Sequence, residues 1–537
     1  MEFNIATLME SIADVIPDNE AVVSGDVRLT YKQLDERANR FAHVLQQKGI
    51  GSGDHVGLYL FNGHEFLEAM LGTLKVRAVP ININYRYVED ELLYLFNDAD
   101  LKSLVFQREY AGRVAAIADK VPTLEQYIYV DDPTGAKVEL MNGIEATEYE
   151  AAMGGVTDTR DFEERSGDDI FIVYTGGTTG MPKGVMWRHE DLFFAGLQGG
   201  NPGGEHHQKP EELSARIASG DSLSMNFLPA APFIHGAAQW TAIIGWFGAG
   251  KIIVVPGPSF DPPRVLAAIE KEGVNTITLV GDAMSRPFSD EVKNGDYDTS
   301  SLMVIVSAGA ILSDSVKSEM QELVPEAMIL NNFGATETGH QGASFENSAT
   351  GRPTFAMHDG NVVIDEDHNP IEPGSDKIGF LARKGRLPVG YYKDPVKTAK
   401  TFIEIKGERW VVTGDMAMVE EDGLITIQGR GAVCINTGGE KVFPEEVEES
   451  LKAHPAVMDA VVVGVPDEKW GQRVAAVIQP REGMSVNSDD LLSFCRTKVA
   501  GYKVPREYFS VETVLRHPSG KPDYRWAKDI ATGEVQA

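Results

Sequence analysis

Residues 174–185 read YTGGTTGMPKGV and follow the apolar run Ile170-Phe171-Ile172-Val173. Gly176, Gly177 and Gly180 permit positive φ and close backbone approach, so successive N–H groups can form an anion-binding concavity. Thr175, Thr178 and Thr179 add hydroxyls, and Lys183 adds a point charge suited to phosphate oxygens. A solvated surface loop is the bland alternative. Three hydroxyls and a Pro-Lys-Gly exit favour the phosphate site. The usual P-loop is excluded, because it needs Gly-Lys-Ser/Thr in direct succession. Here Met181 and Pro182 separate Gly180 from Lys183, and Gly184 follows the lysine.

The segment closely resembles the phosphate loop of the AMP-forming acyl-CoA synthetases, the superfamily that includes nonribosomal peptide adenylation domains and firefly luciferase. The resemblance recurs, in order, across nearly the whole chain. NNFGATETG at 331–339 is similar to the family's adenine and magnesium motif. It implies that Phe333 stacks on adenine, Asn331 bonds the adenine amino group, Thr336 donates to the α-phosphate and Glu337 holds Mg²⁺. Ser307-Ala308-Gly309-Ala310 looks like the second adenine wall. WVVTGD at 410–415 matches the ribose motif, with Asp415 accepting from both ribose hydroxyls and Arg430 as a further ribose and phosphate contact. LPAAPFIHGAAQW at 228–240 places His235 beside the acyl carboxylate. Peptide-forming relatives carry an aspartate in this region to hold the substrate amine, whereas this chain has Phe233, Ile234 and His235. That implies a plain carboxylic acid.

Near the C-terminus, TGGEKVFPEEVEE at 437–449 resembles the hairpin that approaches pantetheine through Gly438, Gly439 and Glu440. The acids Glu445, Glu446, Glu448 and Glu449 read as a solvated helix start that complements the dipole. Pro518-Ser519-Gly520-Lys521 matches the family's catalytic lysine segment, and Lys503 in the family-like Tyr-Lys-Val-Pro reads either as a CoA phosphate contact or as a plainly solvated lysine. The hinge departs from the family pattern. Gly431-Ala432-Val433 follows Arg430 where a charged residue is usual, although small residues tolerate a backbone swing.

The implied reaction joins an acid to AMP and then to CoA, with ATP, Mg²⁺ and CoA required. The spelling of these motifs looks most like an actinobacterial-type group that acts on fatty acids or steroid side-chain acids. Small residues near the presumed acyl pocket (Gly236, Ala237, Ala238, Gly281, Ala283, Gly334, Gly339) are expected to admit a bulky group. Two rival readings are an enzyme that loads a carrier protein and a non-catalytic nucleotide- or acyl-binding paralogue. Retention of Lys183, Glu337, Asp415 and Lys521 together argues against the second.

Composition agrees with an enzyme of this size. The chain has 537 residues, 42% hydrophobic and 24% charged, which is ordinary for a globular protein of more than one domain. A net charge of −31 disfavours nucleic acid and anionic membrane. The expected partners are an acid, ATP and CoA, with a homodimer as the assembly considered. Two cysteines, Cys434 and Cys495, cannot build a disulfide framework, so a reducing cytosol is expected. The N-terminus shows no signal-peptide pattern, and no apolar run reaches the ~20 residues of a membrane span. His206 and His207, in the polar stretch 199–212, are expected to be solvated rather than metal-bound.

The elements that position these motifs follow from periodicity. Leu34, Ala38, Phe41 and Leu45 predict an amphipathic helix over 31–48. Strands are expected at 55–60, 79–83, 252–255, 276–280, 302–307 and 328–333, with helices at 63–74, 263–272 and 312–323. After about residue 350 short runs separated by turns predict a β-rich subdomain. Beyond Gly429-Arg430-Gly431 a compact unit is expected, with helices at 444–453 and 487–499 and strands at 457–464 and 473–479. The resulting architecture is α/β: a large N-terminal domain, 1–429, of α/β layers plus the β-rich subdomain, and a small mobile α+β domain, 430–537.

Overall fold

The computed structural model describes residues 1–131, 144–177, 180–310, 312–344, 353–437, 440–467, 471–517 and 520–535. In the largest sheet the strands Glu20–Ser24, Ile252–Val254, Phe227–Pro229, Thr276–Leu279, Val304–Ser307 and Met328–Ala335 lie side by side in that order and run parallel. The helices Pro262–Glu272, Gly281–Asn294 and Asp314–Leu323 alternate with its later strands along the chain. Parallel strands covered by helices are apolar on both faces, and Ile277, Leu279 and Ile305 are accordingly fully buried. Asp261 caps the first of these helices through the Arg264 N–H, with Pro262 at its first position and left-handed Gly273 closing it.

The same sheet continues antiparallel through Gly339–Ser344, Thr354–Met357, Ile425–Arg430, Glu408–Val419 and Gly379–Lys384 to Asn361–Ile364. All but the first of these strands make up the β-rich region expected after residue 350. A second sheet, wholly parallel, orders Val79–Asn82, His55–Tyr59, Leu101–Gln107, Gln126–Val130 and Ala146–Glu148. The helix predicted over 31–48 is Tyr31–Gln46. It opens with a reciprocal Thr30–Gln33 capping box and buries Leu34, Ala38, Phe41 and Leu45.

The chain leaves the large sheet at Arg430, turns through Gly431–Val433 and enters a last sheet at Ile435–Thr437. There Val457–Asp467 and Gly471–Pro480 pair antiparallel along their length, and Glu507–Ser510 adds in parallel. Alternate residues face opposite ways in a strand. Ala460 and Val462 therefore pack with Val447, Leu451, Leu491 and Cys495, while Val461, Val463 and Val465 pack with Ala527, Ile530 and Ala531 of the helix Tyr524–Thr532.

Two expectations of solvation need correction. His207 is buried rather than solvated, and burial pushes its imidazole below the usual histidine range. Glu448 and Glu449 are not a solvated helix start. In the helix Pro444–Lys452 only Glu445 and Glu446 occupy the first turn, and packing against neighbouring elements raises both Glu448 and Glu449 to about 7. Among the described residues no helix is long and apolar enough to cross a membrane.

Candidate active site

The glycine-rich loop is the turn of an antiparallel hairpin, Ile170–Gly177 against Gly180–Arg188. Phe171, Ile172, Val173, Val185 and Trp187 anchor its two arms in the core. Thr175 stands opposite Lys183 in the register, which brings a hydroxyl and an ammonium to the same end of the hairpin. Thr178 and Thr179 lie outside the described residues.

Asn82 ties this hairpin to the acyl-site motif. Its amide nitrogen donates to the Tyr174 carbonyl at 2.9 Å and the Ile234 carbonyl at 2.6 Å, and its oxygen accepts the Tyr174 N–H at 2.8 Å. Asn82 is nearly inaccessible, and all three bonds are satisfied, as a buried amide requires. His235 follows directly. It is the N-terminal cap residue of the apolar helix Gly236–Phe247 and is half-buried between buried Ile234 and Gly236. Phe233 beneath it stacks on Phe66, with ring centroids 5.2 Å apart.

Asn331 and Phe333 lie on the strand Met328–Ala335, one strand over from Val304–Ser307, and Ser307 pairs with Asn331. Asn331 is buried, with its amide donating to the Leu312 carbonyl at 3.4 Å. Phe333 is half-buried, its ring 5.5 Å from that of Phe355. Gly309 turns the chain with φ +82 at the end of the neighbouring strand, a conformation that glycine adopts without a Cβ penalty. The Thr336 carbonyl accepts the Trp187 indole N–H at 2.9 Å, which fixes this loop on the phosphate hairpin. Glu337 accepts the Tyr391 hydroxyl at 2.8 Å. Asp415 is buried, takes the Thr413 hydroxyl at 2.5 Å and pairs in the ladder with Arg430.

Lys183 is already engaged: Asp394 binds its ammonium at 2.5 Å. The charge of Lys183 holds the Asp394 carboxyl below the usual range.

The C-terminal sheet docks on this assembly through buried charge. Lys452 and Asp282 pair at 2.8 Å with both side chains almost inaccessible. Asp282 also accepts the Ser313 N–H and hydroxyl, and Arg286 donates to the Lys452 carbonyl at 3.0 Å. Glu449 reaches the Asp314 N–H at 3.4 Å. The consequence lies at Gly520, whose φ is +76 and whose Cα lies so close to Val280 that an added Cβ would meet it at 2.6 Å, with Ala310 at 3.6 Å. The backbone that carries Lys521 therefore passes beside Val280 and Ala310, at the end of the segment Ser307–Ala310. Arg516 braces the turn: it grips Asp459 with two bonds of 2.6 Å and donates to the Gly520 carbonyl at 2.9 Å.

A profile of the AMP-binding enzyme family matches residues 9–390, and that of the AMP-binding enzyme C-terminal domain matches 446–521. The chain belongs to the AMP-binding enzyme family. Among its relatives, a 3-oxocholest-4-en-26-oate–CoA ligase of Rhodococcus rhodochrous is 45% identical over 98% of this chain and 96% of its own. A medium/long-chain-fatty-acid–CoA/3-oxocholest-4-en-26-oate–CoA ligase of Mycolicibacterium smegmatis is 44% identical over 99% and 97%. The fold is also that of an anthranilate–CoA ligase solved with anthranoyl-AMP, with a TM-score of 0.82, 22% identity and coverage of 99% and 98%.

In this AMP-binding enzyme the structure gathers Lys183, Glu337, Asn331, Phe333, Gly309 and Lys521 around one end of the parallel strands. Lys503 is not solvated; it pairs with both oxygens of Glu446 at 2.8 Å. Glu440 lies on the hairpin Ile435–Thr437 and Glu440–Val442, which adjoins the sheet at Gly471. Gly438 and Gly439 lie outside the described residues, as do the side chains of Arg430 and Glu440. Two of the small residues assigned to the acyl pocket have another reason to be glycine. A Cβ on Gly334 would lie 2.2 Å from the Gly339 carbonyl, and one on Gly339 would lie 2.6 Å from that of Ala195, so close backbone crossing excludes side chains there.

Asn82, Tyr391, Asp394 and Arg516 escaped the sequence reading. Asn82 contacts residues 92 and 152 positions away and carries no local signal. Arg516 was open to suspicion, lying five residues before Lys521 in an otherwise short polar turn.

Proposed function

We infer that this protein is an AMP-forming ligase that joins an organic acid to CoA. The observation that carries the reading is the seating of the Gly520–Lys521 turn against Val280 and Ala310. It supports the reading because the residue next to Lys521 packs on Val280 and on Ala310, which ends the segment that the resemblance assigns to the adenine wall. In the first half-reaction a carboxylate oxygen attacks the α-phosphorus of ATP. The bond from that phosphorus to the bridging oxygen breaks, and its electron pair leaves on pyrophosphate. Lys521 stabilises charge on the carboxylate and α-phosphate, while Lys183 and Thr175 to Thr179 hold the departing phosphates. Prepositioned charge of this kind carries most of the acceleration in phosphorus chemistry. Asp415 holds the ribose, and Asn331 and Phe333 hold the adenine.

Glu337 fits the Mg²⁺ that accompanies ATP. A single carboxylate completed by phosphate oxygens suits this hard ion, and the described residues contain no cluster of three or more protein ligands that could hold a metal. When bound, the ion neutralises phosphate charge.

In the second half-reaction the CoA thiolate attacks the acyl carbonyl, the C–S bond forms and AMP leaves. We assign residues 430–537 to a unit that rotates about Gly431-Ala432-Val433. It withdraws Lys521 and brings Gly438, Gly439 and Glu440 to His235. Lys503, released from Glu446, takes a CoA phosphate.

The acid is a medium- or long-chain fatty acid or a steroid side-chain acid, as named for the relatives. The buried Phe233 and Ile234 support an acid that carries no amine, since they offer no carboxylate to hold one. The partners are small molecules and the setting is the cytosol. Pyrophosphate release measured acid by acid tests the reading. Release with fatty or steroid acids is expected, and dependence on an added carrier protein in place of CoA would replace it with the carrier-loading alternative.

A further inference from the structure

Outside the family motifs, one cluster of charge lacks a function. The short helix Pro395–Thr401 follows Asp394 and carries Lys397. Both Lys397 and Lys183 lie over the Tyr391 ring, their ammoniums 5.1 and 5.9 Å from its centroid. The hydroxyl of that ring donates to Glu337 at 2.8 Å. Asp394 serves both segments: one oxygen binds the Lys183 ammonium at 2.5 Å and the other accepts the Lys397 backbone N–H at 2.9 Å. Among the described residues no carboxylate lies within ion-pair distance of the Lys397 ammonium. The side chain is nonetheless half-buried, whereas Lys400 on the same helix is exposed.

Two ammoniums from segments more than two hundred residues apart thus converge over one ring, with a carboxylate bound to only one of them, near the acid that fits Mg²⁺. Holding like charges together out of water is costly unless an anion arrives. Burial, and then Lys183, push the Lys397 ammonium below the usual lysine range. The arrangement is complementary to a polyphosphate.

We propose that Lys397 is a second ammonium for the β- and γ-phosphates, and that Asp394 is the counter-ion they displace from Lys183. The proposal rests on the ligase reading. When the bond from the α-phosphorus to the bridging oxygen breaks, the added negative charge on pyrophosphate falls between Lys183 and Lys397. Asp394 then keeps only its cap on the Lys397 N–H. When pyrophosphate leaves, Asp394 takes Lys183 back, which favours product release. The competing role for Lys397 is packing on Tyr391, a cation–π contact that helps stability alone.

Acid-dependent exchange between pyrophosphate and ATP separates these roles, read with the melting temperature and with thioester formation from supplied acyl-AMP and CoA. Lys397→Ala should raise the KM for pyrophosphate by about tenfold or more, the size of one charge-assisted hydrogen bond. Lys397→Arg should restore most of it, and thioester formation should not change, because no pyrophosphate takes part. Asp394→Asn keeps a good helix cap and should lower the same KM by freeing Lys183. An unaltered pyrophosphate KM in Lys397→Ala, with exchange intact in the wild type, overturns the proposal alone and leaves the packing role. A raised KM in Asp394→Asn overturns the counter-ion part. Absence of exchange in the wild type with every acid overturns the ligase reading and this proposal together.

Discussion

Arg516 grips Asp459 through two bonds of 2.6 Å and, with its third nitrogen, holds the carbonyl of Gly520. Asp459 lies on the strand Val457–Asp467 of the C-terminal sheet. The lysine turn is thereby fixed to the sheet of its own unit, and Gly520 of that turn packs on Val280 and Ala310.

Lys521→Ala should slow adenylation by about 10²–10³, the loss typical of one charge-stabilising donor. Thioester formation from supplied acyl-AMP should be nearly spared. Arg516→Ala should slow the same half-reaction by a smaller factor, through a looser turn. Equal losses in both half-reactions for Lys521→Ala would falsify the division of labour between the two arrangements.

The Asp282–Lys452 pair makes a second prediction. Removing one member of a buried pair leaves the other uncompensated, at a cost of about 3–5 kcal/mol. Asp282→Ala should therefore weaken docking and lower adenylation more than thioester formation. Asp282→Ala combined with Lys452→Met should recover part of the loss, since residues in contact are non-additive. A double variant as impaired as the sum of its singles would sink the idea of a mutual latch.

Glu337→Gln keeps the shape and an oxygen to accept the Tyr391 hydroxyl. The fold should survive, while the Mg²⁺ concentration needed for half-maximal adenylation rises. An unchanged titration would remove Glu337 from the metal.

Glu448, together with Glu449, which is also raised to about 7, is expected to make stability depend on pH. It is buried and accepts the Val462 N–H at 2.9 Å. Burial raises its carboxyl to about 7, opposed by Lys452, the Val462 N–H and Arg516, with Asp459 adding to the rise. Tyr524 faces it from the last helix. Its folded value exceeds the ordinary 4.5, so the stability it allows is fully present below 4.5 and is lost as pH rises through about 7. Glu448→Gln should flatten the fall of melting temperature across that interval. Parallel curves for the two proteins would show that Glu448 does not set it.

Helices and strands of the α/β layers were legible because their signal is local. The spacing of Leu34, Ala38, Phe41 and Leu45 predicts the helix Tyr31–Gln46 in which they are buried. The end of the last predicted helix was misplaced, since 487–499 stops at Arg496. The acids after Pro444 misled for a different reason: a helix start looks solvated until something packs on it, and here Asp314 and the sheet strand at Val462 do so.

The sequence by itself determined the family and the chemistry proposed for it. A glycine- and threonine-rich loop with Lys183, the acid Glu337, the carboxylate Asp415 and a lysine at 521 carry their meaning in residue type and order, which no folding step alters. Only the tertiary structure decided how they meet. Asn82 joins the phosphate hairpin to the His235 segment, Asp394 occupies Lys183, and Asp282 with Lys452 seats the C-terminal unit so that Gly520 touches Val280. Each of these contacts joins residues far apart in the chain. Its strength depends on burial and on the direction of a side chain, quantities that arise when the sheets pack together.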